Sequence, residues 1–189
     1  GNIIYFQNDF EVIELNDLLK KYAGVDYDDF TQAQMLKKSK ELHIKIPKGA
    51  IKGKIADEIY KELARPRLIQ PTFVINHPLE LSPLAKRIDG EKDGVARFQL
   101  LVAGLEVVNA YSELNDPVEQ MERFKEQEKI RKGGDKEAQK TDNDFVTALE
   151  YGMPQAAGLG IGVERLVALL TGAHAIREVM LFPTIKPKK

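Results

Sequence analysis

Residues 157–170 read A-G-L-G-I-G-V-E-R-L-V-A-L-L. Gly158, Gly160 and Gly162 alternate with Leu159, Ile161 and Val163, and a period of two predicts a strand. One face of that strand carries no side chains, so a ligand can lie flat against its backbone. Glu164 and Arg165 then open an apolar run, Leu166 to Leu170, closed by Thr171-Gly172. This predicts a short buried helix stopped by glycine. Arg165 falls where strand becomes helix, beside the bare face, where a guanidinium can grip a phosphate through two parallel hydrogen bonds. A glycine-rich packing strand with Arg165 in a salt bridge fits the same spacing, because glycine-rich matches are weak alone.

Working outward, the next informative stretch is L-E-V-V-N-A-Y-S-E-L-N-D-P, Leu105 to Pro117. On a strand, Asn109, Tyr111 and Glu113 share a face. An amide, an aromatic ring and an acid are an odd choice for a core wall, since buried charge is costly unless paired. A ligand ammonium would supply the pairing, and lysine fits: Glu113 takes the ammonium, Tyr111 packs on the methylenes and Asn109 orients a polar end. A solvent-facing strand whose polar residues do nothing fits the pattern equally well.

The chain has 189 residues, enough for one domain, residues 1–189, with a sizeable core. Its formal net charge is −1, from 28 basic and 29 acidic residues. No global positive field draws nucleic acid, and any RNA contact must be local. Absence of cysteine excludes disulfides and thiolate zinc sites and fits a reducing, cytoplasmic setting. His43, His77 and His174 are scattered and lack metal-ligand spacing. No apolar run reaches the length of a membrane span, so no membrane partner is expected.

From the N-terminus, Ile3 to Phe6 reads as an edge strand or hairpin arm, with Phe10 to Ile13 pairing back across a turn at Asn8-Asp9. Asn16 or Asp17 caps a helix through Tyr22, stopped by Gly24. Thr31 opens a helix from Gln32 to Leu42 with Ala33, Leu36 and the Lys40 stem inward, and Gly53 to Ala64 forms another that Pro66 ends. Pro71 to Pro78 reads as a strand, Leu79 to Lys86 as a loop and Asp89 to Gly94 as a charged turn. Arg97 to Ala103 and Glu106 to Glu113 form a hairpin about Gly104. Asp116 and Pro117 start a charged helix to about Arg131, broken by Gly133-Gly134-Asp135. Lys129 to Asp144 reads as a loop, with a continued helix as the alternative; a helix from Asp144 to Tyr151, a strand or helix end from Ile176 to Phe182 and a fraying tail, Thr184 to Lys189, complete the chain. The fold class is α+β, one antiparallel sheet flanked by helices.

The glycine stretch resembles motif 3 of class II aminoacyl-tRNA synthetases, Gly-x-Gly-x-Gly followed by an arginine. Its context, L-E-Y-G-M-P-Q-A-A-G-L-G-I-G-V-E-R-L, is similar to the lysyl-tRNA synthetase version, as are Gln70 to Lys86 and Leu105 to Pro117. The resemblance implies the class II catalytic fold in part, and lysine, ATP and tRNA(Lys) as substrates, with Mg2+. It places lysine against Asn109, Tyr111, Glu113, Gly158 and Gly160. ATP falls to Glu106, Gln99 and Arg165, with Arg165 as the catalytic arginine on the γ-phosphate and Glu106 as the metal ligand. In the family a glutamate stands where this chain has Gln99, in Arg97-Phe98-Gln99-Leu100, and a neutral carbonyl is a poorer magnesium ligand than a carboxylate. Tyr111 replaces a phenylalanine, Gln155-Ala156 a Pro-Thr pair, and Glu164 an aspartate. Strict alternation turns Glu106 away from Asn109, Tyr111 and Glu113, so one shared site requires a β-bulge near Val107-Val108.

The resemblance covers nearly the whole chain and implies a lysine–tRNA ligase, homodimeric and cytoplasmic at full length. The anticodon-binding OB-fold, motif 1 and motif 2 have no counterpart in these residues. That implies the C-terminal part of the catalytic domain, inactive alone, with an exposed apolar patch where motifs 1 and 2 would pack. Two alternatives stay open: an enzyme attaching a lysine-type amino acid to an elongation factor protein, and a non-catalytic synthetase-like binding module.

Overall fold

A computed structural model describes residues 2–90, 94–135 and 138–184. Its strands β1 (Glu11–Glu14), β2 (Thr72–Pro78), β3 (Gly94–Val102), β4 (Leu105–Ser112) and β5 (Ala157–Ile161) form one sheet in chain order. Helices α1 (Leu15–Ala23), α2 (Gln32–Glu41), α3 (Lys52–Ile59), α4 (Pro117–Lys132), α5 (Asn143–Glu150) and α6 (Val163–Thr171) connect them. The α+β expectation holds, with one difference: β1 and β2 run parallel, while the other three pairs are antiparallel. A parallel pair needs a long crossover, which α1 to α3 provide. Ile3 to Phe6 forms no strand, and β1 pairs forward with β2 rather than back.

Local chemistry sets most element ends. Gly24, at φ 62°, closes α1. Neither Asn16 nor Asp17 caps that helix; Glu14 precedes it without a side-chain bond. Asn16 instead holds the following loop, donating to Asp26 and Asp28 and accepting from the Tyr27 amide at 2.7 Å. Thr31 and Gln34 cap α2 reciprocally. Met35 and Ser39 are its buried residues, whereas Ala33 and Lys40 are exposed. After α3 the coil widens into a π turn, Tyr60–Ala64, and tightens into a 3-10 turn, Arg65–Arg67, that contains Pro66. Ala103 and Gly104 both take positive φ, as a tight hairpin between β3 and β4 requires. Asp116 accepts from the amides of Val118 and Glu119 at the start of α4. The chain leaves helix at Gly133. Residues 91–93 of the expected turn Asp89 to Gly94, residues 136–137 of the expected loop and residues 185–189 of the tail lie outside the described residues. Ile176–Glu178 is a single 3-10 turn.

The core packs Leu18, Leu19, Met35, Ile55 and Ile59 on Val74 and Leu101, all fully buried. Val74 pairs with Gln99 and Ile13 with Val74, and directly paired residues share a sheet face. α1 to α3 therefore cover the β1–β2 half of one face. On the opposite face Phe10, Phe73 and Phe98 stack, with ring centroids 5.9 and 5.3 Å apart. The buried helix expected at Leu166 to Leu170 is a correction: Ala168 is the buried residue of α6, and Leu170 is 68 % exposed. Leu159, Ile161 and Val163 are exposed too, so an apolar surface runs along β5 and α6. Among the described residues no helix is long and apolar enough to cross a membrane.

Candidate functional site

The site occupies the β3–β5 half of the helix-covered face. Register fixes its composition. Arg97 pairs with Tyr111 and Gln99 with Asn109; across β4, Asn109 pairs with Gly160 and Tyr111 with Gly158. The bare glycine face therefore continues the polar face of the hairpin. Leu100 pairs with Val108 but Leu101 with Glu106. Val107 is the extra residue, a bulge at the expected place, and it brings Glu106 round to the Gln99–Asn109 face. The Gln99 side-chain amide donates to Glu106 Oε2 at 2.7 Å.

Glu113 follows the end of β4, with its carboxylate over Gly158. Burial raises its pKa above the usual carboxylate range. Burial, with Glu113 nearby, likewise raises the Tyr111 pKa. Asn109 Oδ1 accepts from Arg97 Nε at 2.9 Å, and Arg97 Nη1 donates to Ser82 Oγ at 2.9 Å and to the Leu81 carbonyl. Burial lowers the Arg97 pKa, while Glu106 opposes the shift. Arg97 is thus the central cation of this face. The sequence held the clue: it stands two positions before Gln99, so strand alternation puts both on one face. Tyr60 is the other residue that sequence reasoning missed; its hydroxyl donates to Gln99 Oε1 at 3.4 Å.

Arg165 sits in the first turn of α6. Its Nη1 donates to the Glu106 carbonyl at 2.7 Å, and its stem lies against Gly162, where an added Cβ would come within 3.2 Å. The salt bridge of the packing reading is absent among the described residues; the guanidinium is held by backbone instead. A cavity of about 460 Å3 opens between Glu106, Asn109, Gly160, Gly162 and Arg165. A second, of about 180 Å3, opens at Ser82, Arg97, Asn109 and Tyr111. Asn109 lines both.

Among the described residues no three His, Cys, Asp or Glu side chains gather closely enough to enclose a metal ion. Mg2+ asks for less when phosphate supplies the other oxygens: one or two carboxylates suffice. Glu106 meets that requirement. Gln99 turns its amide, not its oxygen, toward Glu106. His77 is 3 % exposed, and burial holds its pKa at about 3; its ring bonds the Val74 carbonyl.

The family described as tRNA synthetases class II (D, K and N) matches residues 2–186. The lysine–tRNA ligase of Thermoanaerobacter pseudethanolicus is 48 % identical over 177 residues, 93 % of this chain and 36 % of that protein. The lysine–tRNA ligases of Moorella thermoacetica and Porphyromonas gingivalis are 47 % and 43 % identical over 92 % and 100 % of this chain, and 36 % and 33 % of their own lengths. The chain spans about a third of the length of the curated relatives it matches.

Proposed function

The chain belongs to the tRNA synthetases of class II (D, K and N), and on that basis we propose that it forms the amino-acid and ATP-binding wall of a lysine–tRNA ligase. In that reaction the lysine carboxylate attacks the α-phosphorus of ATP, pyrophosphate leaves, and the lysyl group passes from the adenylate to tRNA(Lys). Glu113 pairs with the substrate ammonium, Tyr111 packs on its methylenes and Asn109 orients its polar end. Gly160 lets the ligand rest on backbone, while Gly158 makes room for the Glu113 carboxylate. Arg165 neutralises the far end of the triphosphate, and positioning with charge stabilisation supplies the catalysis. Mg2+, held by Glu106 and phosphate oxygens, supplies further charge neutralisation when bound. A homodimer and a cytoplasmic setting for the whole protein belong to the same reading, on the resemblance of the motifs.

The observation that carries this reading is the bulge at Val107, which sets Glu106 beside Asn109 on the face that holds Tyr111 and Glu113. Calorimetric titration with lysine and with norleucine, its analogue lacking the side-chain ammonium, tests it. Lysine should bind more tightly, and Glu113→Gln should remove about 1.5–3 kcal/mol of that preference, the scale of a hydrogen bond to a charged group. Equal binding of the two amino acids would remove lysine as the ligand. One observation, the amide at Gln99, favours a second reading, a module that binds lysine without activating it. Lysine binding without lysine-dependent pyrophosphate exchange in the whole protein would mark that module.

A further inference from the structure

Gln99 is 8 % exposed and lies between two groups of opposite demand. On one side is Glu106 Oε2, which accepts from Nε2 at 2.7 Å. On the other is the Tyr60 hydroxyl, 3.4 Å from Oε1. Tyr60 is 2 % exposed, and burial raises its pKa, so it keeps its proton and donates. The amide has one orientation that satisfies both neighbours: NH2 toward Glu106, oxygen toward Tyr60. Turning it over would set oxygen against carboxylate, so Glu106 decides which way the amide faces, and the Tyr60 hydroxyl meets the oxygen end as donor. The single acceptor oxygen of Gln99 is therefore committed to a residue from the π turn after α3, away from the groove.

We propose that Gln99 is a positioning residue rather than a cation ligand: locked by Tyr60, it donates to Glu106 and aims that carboxylate, leaving Glu106 as the one carboxylate of this face that holds the nucleotide-bound cation. This rests on the ATP-binding reading above. A hydrogen-bonded partner that orients a ligating carboxylate typically changes cation affinity by about 10–100-fold when removed. The relay also carries an element remote in sequence into the site, since Tyr60 and Gln99 are 39 residues apart.

The test uses Mn2+ as probe, its binding to the chain with ATP followed by electron paramagnetic resonance, and ATP binding measured separately in EDTA. Tyr60→Phe, which removes one oxygen from a buried ring, and Gln99→Met, which keeps length but has neither donor nor acceptor oxygen, should each weaken Mn2+ about tenfold. The double variant should lose little more than either single one, because both cut the same relay. Glu106→Gln should weaken Mn2+ at least as much as either single variant, read above the Mn2+ that free ATP holds, while ATP affinity in EDTA stays unchanged in Tyr60→Phe. In the unliganded wild type, the Gln99 side-chain amide proton should resonate downfield and move upfield in Glu106→Ala. A silent Tyr60→Phe, additive losses in the double variant, or an amide signal indifferent to Glu106→Ala would each overturn the proposal while ATP still binds. Failure of the wild type to bind ATP in EDTA would remove the nucleotide reading and the proposal together.

Discussion

The Glu113 carboxylate fills the space that a side chain on residue 158 would need: a Cβ built on Gly158 collides with Glu113 Oε1, whereas one on Gly160 meets the Asn109 carbonyl at 3.7 Å, an ordinary contact. The two glycines of the bare face therefore serve different ends. Gly158 makes room for an acid of the protein, and Gly160 leaves room for a ligand.

Gly158→Ala should displace Glu113 even without ligand, and Gly160→Ala should not. The carbon-13 shift of the Glu113 carboxyl reads this directly. Lysine affinity should fall at least about tenfold in Gly158→Ala, the equivalent of losing one hydrogen bond to a charged group. An unmoved carboxyl signal in Gly158→Ala would show that the acid stands elsewhere.

Because burial raises the Glu113 pKa, the pH dependence of lysine binding has a defined sign. Pairing with an ammonium needs the ionised acid, and a raised pKa means that protonation begins at higher pH than for an ordinary glutamate. Lysine affinity should fall on acidification starting above the usual carboxylate range. Glu113→Gln should bind weakly and without that fall. The same decline in wild type and variant would assign it to another group.

Much of this face was legible from local rules. Alternation assigned Asn109, Tyr111 and Glu113 to one face, and the demand that Glu106 join them placed the bulge. Gly104 marked the hairpin because only a tight turn explains a glycine between two apolar runs. What local rules could not give was anything decided by distant pairing. The parallel β1–β2 pair depends on a crossover of three helices. Tyr60 reaches Gln99 from a π turn that no periodicity announces. The apolar stripe of α6 looked like core because hydrophobicity was taken as burial, yet burial needs a covering element, and Leu170 has none among the described residues.

His77 offers a stability test away from ligands. Its pKa is about 3 in the fold and about 6.5 in a model chain. Between those values the unfolded state binds the additional proton, so stability should fall with falling pH, by at most about 1.4 kcal/mol per pH unit for one group. Above pH 6.5 this contribution is flat. Urea unfolding of wild type and His77→Gln from pH 7 to pH 4 should show a shallower decline in the variant. Parallel curves would mean that His77 does not stay neutral.

Asn16 and Asp17 separate a loop clasp from a helix cap. Asn16 makes three hydrogen bonds to the segment Asp26 to Asp28, so Asn16→Ala should cost about 1–3 kcal/mol. Asp17→Ala should stay within about 0.5 kcal/mol, as for a surface position without a special role. The reverse order in chemical denaturation would restore the capping role that the sequence suggests.

The bulge at Val107 makes the site a matter of counting as well as chemistry. Deleting Val107 would leave every polar side chain of the groove in the protein and would leave the hairpin long enough to pair. Glu106 would keep Leu101 as its partner and stay on the Gln99–Asn109 face, because Val107 is the residue that the pairing skips. A single-codon deletion there would straighten the hairpin, whose local twist the bulge increases, and still leave the acid and the amide side by side.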